Sequence, residues 1–104
     1  MRPNMPSHRD ALIMMTHYNM RLHERWPDLP DLPLKSGDKA VERLWSLRIE
    51  KLIYDMAHEK PRVSRIPGGF YAASGEFGVD LVEGRGVTYL AAVTHLLFNM
   101  VSWL

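Results

Sequence analysis

Cysteine is absent from all 104 residues. Disulfides, thiolate catalysis and cysteine-ligated zinc or iron–sulfur centres are therefore excluded. An excess of either charge is also missing: 13 basic and 12 acidic residues leave a formal net charge of +1. A balance this even sets up no global field toward nucleic acid or an anionic membrane, although a local patch remains open. No period of 20–50 residues marks a solenoid. Residues 1–10 are polar, carry two prolines and lack the apolar core of a signal peptide. The corresponding expectation is a cytoplasmic protein.

What is present has globular proportions. Hydrophobic residues make up 46% and charged residues 24%, which argues against disorder over most of the chain. The length fits one domain, 1–104. Within it, residues 1–6 are expected to form a flexible N-terminus and residues 27–35 a proline-rich connector. That connector repeats Pro27-Asp28-Leu29 as Pro30-Asp31-Leu32 before Pro33. Proline at every third residue favours an extended, polyproline-like path.

Helical spacing flanks the connector. Ala11, Met15, Tyr18 and Leu22 predict a first helix opening at the Ser7 cap and stopping near Arg25 or Trp26, before Pro27. A second helix is predicted from Ser36–Asp38 to about His58. Val41, Trp45, Ile49, Leu52 and Met56 form one stripe on it, and Ala40, Leu44, Leu47 and Tyr54 a second. A helix apolar on two sides is central in the fold, or packs on one side and binds on the other.

The period then changes. Strands are expected at Arg62–Ile66 and Phe70–Ser74, joined by a glycine-accepting turn at Pro67-Gly68-Gly69. A tight turn at Ser74-Gly75-Glu76 should lead into a strand with Phe77, Val79 and Leu81 facing the core, broken by Gly84-Arg85-Gly86. A third, apolar helix opens near Thr88 and runs toward Leu104. His95, Asn99 and Ser102 form its one polar stripe, at i, i+4 and i+7. The fold class is therefore α+β: two N-terminal helices, a small antiparallel sheet of two or three strands, and an apolar C-terminal helix. So small a sheet leaves edges to be covered, and self-association is one solution.

Catalytic motifs do not emerge. His23-Glu24 and His58-Glu59 begin like a zinc-protease helix, but Pro27 and Arg62 stand where the second histidine belongs. No metal or cofactor is expected, and an enzyme or ligand site assembled from His17, His23 or His95 is kept only as an alternative. His95 is read as a core histidine bonded to Asn99 or to a neighbouring element. Gly84-x-Gly86 with Arg85 could hold an anion at a helix start, but Tyr89 replaces the third glycine of a dinucleotide fingerprint. Asp80 and Glu83 fit an exposed hairpin better than an acid pair. The uncharged run from Gly86 to Leu104 is 19 residues long. It is near the length needed to span a bilayer, yet it carries too many polar groups for lipid. No membrane partner is expected.

Two binding surfaces are left. Methionine and tryptophan are enriched where proteins meet, which selects Met14, His17, Met20, Arg21 and Trp26 as a protein-binding face. Lys60, Arg62, Arg65 and Arg85, beside Phe70 and Tyr71, form the alternative, a nucleic-acid-binding patch. In size and in its lack of catalytic motifs, the chain resembles the short single-domain proteins with which bacteriophages and mobile elements block larger host machines. The expectation is a non-catalytic protein-binding module, possible inhibitor of such a complex, that acts by occluding a surface.

Overall fold

Asp38 sets the start of the first complete helix. Its carboxylate accepts a hydrogen bond from the Val41 amide at 3.2 Å, an N-cap that satisfies one of the free donors of the opening turn. The helix, α1, spans Lys39–Ala57 and ends where His58 adopts the left-handed conformation (φ 61°), with its amide bonded to the Tyr54 carbonyl. The structure, a computed structural model, describes residue 22, residues 24–31 and residues 38–101. Strands β1 (Arg62–Ile66), β2 (Phe70–Phe77) and β3 (Asp80–Gly86) follow, then helix α2 (Tyr89–Val101). The strands form one antiparallel sheet in the order β1-β2-β3. Both helices pack toward one face of it, α2 against β3 and β2, and α1 against α2 and β2.

The described architecture is thus α+β with a small three-stranded sheet and an apolar C-terminal helix, but with one complete helix before the sheet instead of two. The predicted first helix lies outside the described residues except near its end. There Leu22, Glu24 and Arg25 are helical and the Trp26 amide bonds to the Leu22 carbonyl. Leu22 is fully buried. The start of the connector is not extended. Pro27 and Asp28 turn the chain so that the Leu29 amide reaches the Trp26 carbonyl at 3.0 Å, with proline preset for that corner. Leu29 is buried, and the Pro30 carbonyl accepts from the Trp45 indole N–H at 2.7 Å. Arg25 meets Asp55, tying the segment to α1 a second time.

The hairpin between β2 and β3 corrects the sequence reading. Its turn is Gly78-Val79, not Ser74-Gly75-Glu76. Gly78 takes the positive φ (68°) that a two-residue type II′ connection demands at its first position. Val79 is fully exposed at the tip and Leu81 is exposed as well. The inward positions of β3 are Val82, Gly84 and Gly86. The two glycines therefore do not break the strand before a helix, as expected, but form its inner surface. A Cβ on Gly84 would lie 2.2 Å from the Leu96 amide nitrogen, and one on Gly86 would lie 2.6 Å from Ala91 Cβ. The helix backbone rests directly on the strand. The alternative of an anion loop at Gly84-x-Gly86 also falls, because α2 packs directly on both glycines.

Helix α2 opens as predicted: Thr88 Oγ1 accepts from the Ala91 amide at 3.1 Å. Leu90, Val93, Leu96 and Met100 are buried against Trp45, Ile49 and Ile53 of α1 and Ala73 and Val82 of the sheet. Buried Thr94 bonds to the Leu90 carbonyl at 2.7 Å, so its hydroxyl costs little in an apolar setting. Among the described residues, no helix is long and apolar enough to cross a membrane.

The polar stripe of α2 closes the sheet. His95 Nδ1 accepts from the Arg85 amide at 3.0 Å, and Asn99 Nδ2 donates to the Glu83 carbonyl at 2.7 Å. Arg85 and Glu83 alternate with the β3 residues that bond to β2, so these groups belong to the outer edge of β3. Two side chains thereby stand in for a fourth strand.

Two outcomes follow from this packing. Gly84→Ala should cost about 3 kcal/mol or prevent folding. Gly75→Ala, whose Cβ would sit 3.9 Å from the Leu96 side chain, should stay within about 1 kcal/mol of the parent in urea denaturation. Burial also holds the His95 imidazole below its ordinary value, and an Nδ1 that accepts an amide proton must itself be unprotonated. The unfolded state therefore binds the proton more readily. Stability should fall as pH drops below about 6.5, level off below the folded pKa of His95, and lose this component in His95→Gln.

Candidate functional site

Helix α1 is apolar on two sides; among the described residues the fold uses the first throughout and the second only at Leu44, which packs against the core. Trp45, Ile49 and Ile53 are buried, with Val41, Leu52 and Met56 packed around them. On the second side Leu47 is 51% exposed and Tyr54 43% exposed. Residues 47 and 54 are two turns apart and share a face. Lys39, Arg43 and Glu50 extend the same side at steps of three, four and seven residues.

This side of α1 forms one wall of a groove of about 730 Å³. The opposite wall is the sheet end at Arg65, Gly69 and Tyr71, and Val87 and Thr88 with the first residues of α2, Tyr89 and Leu90, close the groove. Strand alternation brings these groups together: Arg65, Tyr71 and Gly86 are cross-strand neighbours and share the inner face. The Tyr71 and Tyr89 rings meet edge-on, 6.1 Å apart at 68°. The Arg65 guanidinium lies over the Tyr71 ring at 5.9 Å. The Glu50 carboxylate faces the Tyr89 phenol. Desolvation first, and then that carboxylate, push the phenol up to about 12.

The aliphatic hydroxyls of the groove are held by local hydrogen bonds. The Ser46 hydroxyl donates to the Glu42 carbonyl at 2.8 Å, and the Thr88 hydroxyl is the helix cap. Glu50 faces the Tyr89 phenol and raises its pKa. Arg65, Lys39 and Arg43 form no ion pair among the described residues. The groove thus offers two aromatic rings, exposed Leu47 and three cations that have no salt-bridge partner among the described residues.

The residues selected from sequence fare unequally. Met14, His17, Met20 and Arg21 lie outside the described residues, as do His8 and His23. Trp26 is half-buried against the core, with Arg25 and Arg48 guanidinium groups 4.9 and 5.0 Å from its ring. Lys60, Arg62, Arg65 and Arg85 do not form one patch. Arg62 and Arg85 lie on the outer sheet face, which also carries Glu76 and Glu83, whereas Arg65 lies on the inner face. Phe70 and Tyr71 are divided between the two faces in the same way. His58 is a helix cap and His95 an edge cap. Among the described residues, no group of three or more histidine, aspartate or glutamate side chains could hold a metal ion.

Sequence reasoning did not single out Lys39, Arg43, Glu50 or Tyr89 as site residues. The helical spacing of the first three was visible, but not what they would face. Tyr89 entered only as the residue that spoils a glycine motif. No family model, curated protein or solved structure matches the chain.

The groove has a spectroscopic signature. Of the four tyrosines, Tyr89 should ionise at about 12 in an absorbance titration, and Glu50→Gln should lower that step only in part, because burial is the larger cause. A titration in which no phenol is delayed would show that Tyr89 is neither desolvated nor held beside Glu50 in solution.

Proposed function

We propose that this protein is a non-catalytic protein-binding module whose contact surface is the second side of α1 and the groove beside it. The observation that carries the reading is the double amphipathicity of α1. Its buried stripe is already matched by α2 and the sheet, yet Leu47, which lines the groove with Tyr89, and Tyr54 remain exposed. An apolar and aromatic centre with Lys39, Arg43 and Arg65 around it has the composition of an interface: anchors in the middle, charge at the rim. Binding there would act by occlusion, with the anchors seated in a pocket of the partner. Inhibition of a larger complex is the form of activity that such a mechanism supplies.

A tagged pull-down from native lysate, with and without nuclease, tests this reading. One enriched protein or complex should survive nuclease, and Leu47→Asp should weaken its capture by about 2 kcal/mol while leaving the circular dichroism of the domain unchanged. Recovery that disappears on nuclease treatment would move the function to nucleic acid. Capture of no protein would overturn the reading.

A further inference from the structure

The two edges of the sheet are treated differently. The outer edge of β3 is closed by His95 and Asn99. The outer edge of β1 has no such cover among the described residues. The pairing register fixes which groups are left there. Arg85 and Glu83 point away from β2, so their β2 partners Ala72 and Ser74 direct their amides and carbonyls toward β1, at Ser64 and Arg62. Val63 and Arg65, the alternate residues, therefore turn both their N–H and C=O groups outward. No other described backbone group pairs with them.

Charge selects what could pair with this edge. From Lys60 through Gly69 the chain carries three cations, Lys60, Arg62 and Arg65, and no carboxylate. Arg62 and Arg65 are exposed on opposite faces of β1. Arg65 also lines the groove, opposite Lys39 and Arg43 of α1. A strand added at β1 would therefore meet a cation on either face, and its inward side chains would enter the groove beside Tyr71. A second copy of this chain is a poor occupant, because antiparallel pairing of two β1 strands would gather six cations along one ladder. A nucleic acid lacks the alternating donors and acceptors that Val63 and Arg65 present.

We infer that the β1 edge, with the groove beside it, receives an extended acidic segment of a partner protein as a fourth strand. Main-chain hydrogen bonds to Val63 and Arg65 would supply affinity, and carboxylates on one face of the added strand, beside Arg62 or Arg65, would supply selectivity. The inference rests on the protein-binding reading and names the chemistry of the partner.

The test uses the full chain and three blocked peptides of about eight residues, a typical strand length, that alternate valine with glutamate, serine or lysine. At low salt the glutamate peptide should bind at least about tenfold more tightly than the lysine peptide. It should slow amide exchange at Val63 and Arg65 and leave Ser64, already paired with β2, unchanged. Val63→Pro removes an outward amide without touching the β1–β2 ladder and should cut binding about tenfold. Arg62→Glu with Arg65→Glu should reverse the charge preference. A flat or reversed order in the parent, or unchanged exchange at Val63 and Arg65, would overturn the inference without recourse to any variant. The lysate experiment separates the two readings. A partner that is retained by Val63→Pro and by the charge reversal, but lost with Leu47→Asp, removes the added strand and keeps the binding module. Capture of no partner removes both.

Discussion

The direct contact between the backbone of α2 and the glycines of β3 constrains everything else. Residues 84 and 86 face inward, and any side chain there would collide with Leu96, Ala91 or Ala92. With those side chains missing, the helix drops onto the strand, and its buried residues reach both the sheet and α1. The same approach brings His95 and Asn99 within hydrogen-bonding distance of the β3 edge. It also sets Tyr89 against Tyr71, which fixes the closed end of the groove. Core, edge cap and candidate site share one geometric cause.

Helix α1 is held from the other side. Trp45 is buried in the core and spends its indole N–H on the Pro30 carbonyl, so one residue serves packing and the anchoring of the connector. Asp55 gathers Lys51 and Arg25, and their hydrogen bonds lower its pKa. Trp26 lies between two arginines in the same region. The side of α1 that bears Leu47 is left out of these arrangements. That asymmetry, together with the unequal edges of the sheet, gives the described residues one finished side and one side that offers apolar surface, cations and backbone groups unpaired among them.

Much of the fold was legible because local rules decide it. The start of α1 at Asp38 and its end at His58, β1 at Arg62–Ile66, the glycine turn before Phe70 and the Thr88 cap of α2 each follow from capping, turn chemistry or periodicity within a few residues. The β2–β3 hairpin was misread because Gly75, Gly78, Gly84 and Gly86 are locally equivalent as turn formers. Gly78 is the one with a positive φ at the turn, whereas Gly84 and Gly86 are selected by a helix that arrives later in the chain.

The sequence by itself determined an α+β chain with an apolar helix after a small antiparallel sheet, no thiol chemistry, and a helix with two apolar sides. These are consequences of composition and of periods that act over a turn or a strand. Only the tertiary structure decided which apolar side of α1 would be spent, which glycines would face inward, and that Lys39, Arg43, Arg65, Tyr71 and Tyr89 would line one groove. Those outcomes depend on contacts between residues far apart in the chain, and their energies are settled by shape and register when helix and sheet meet.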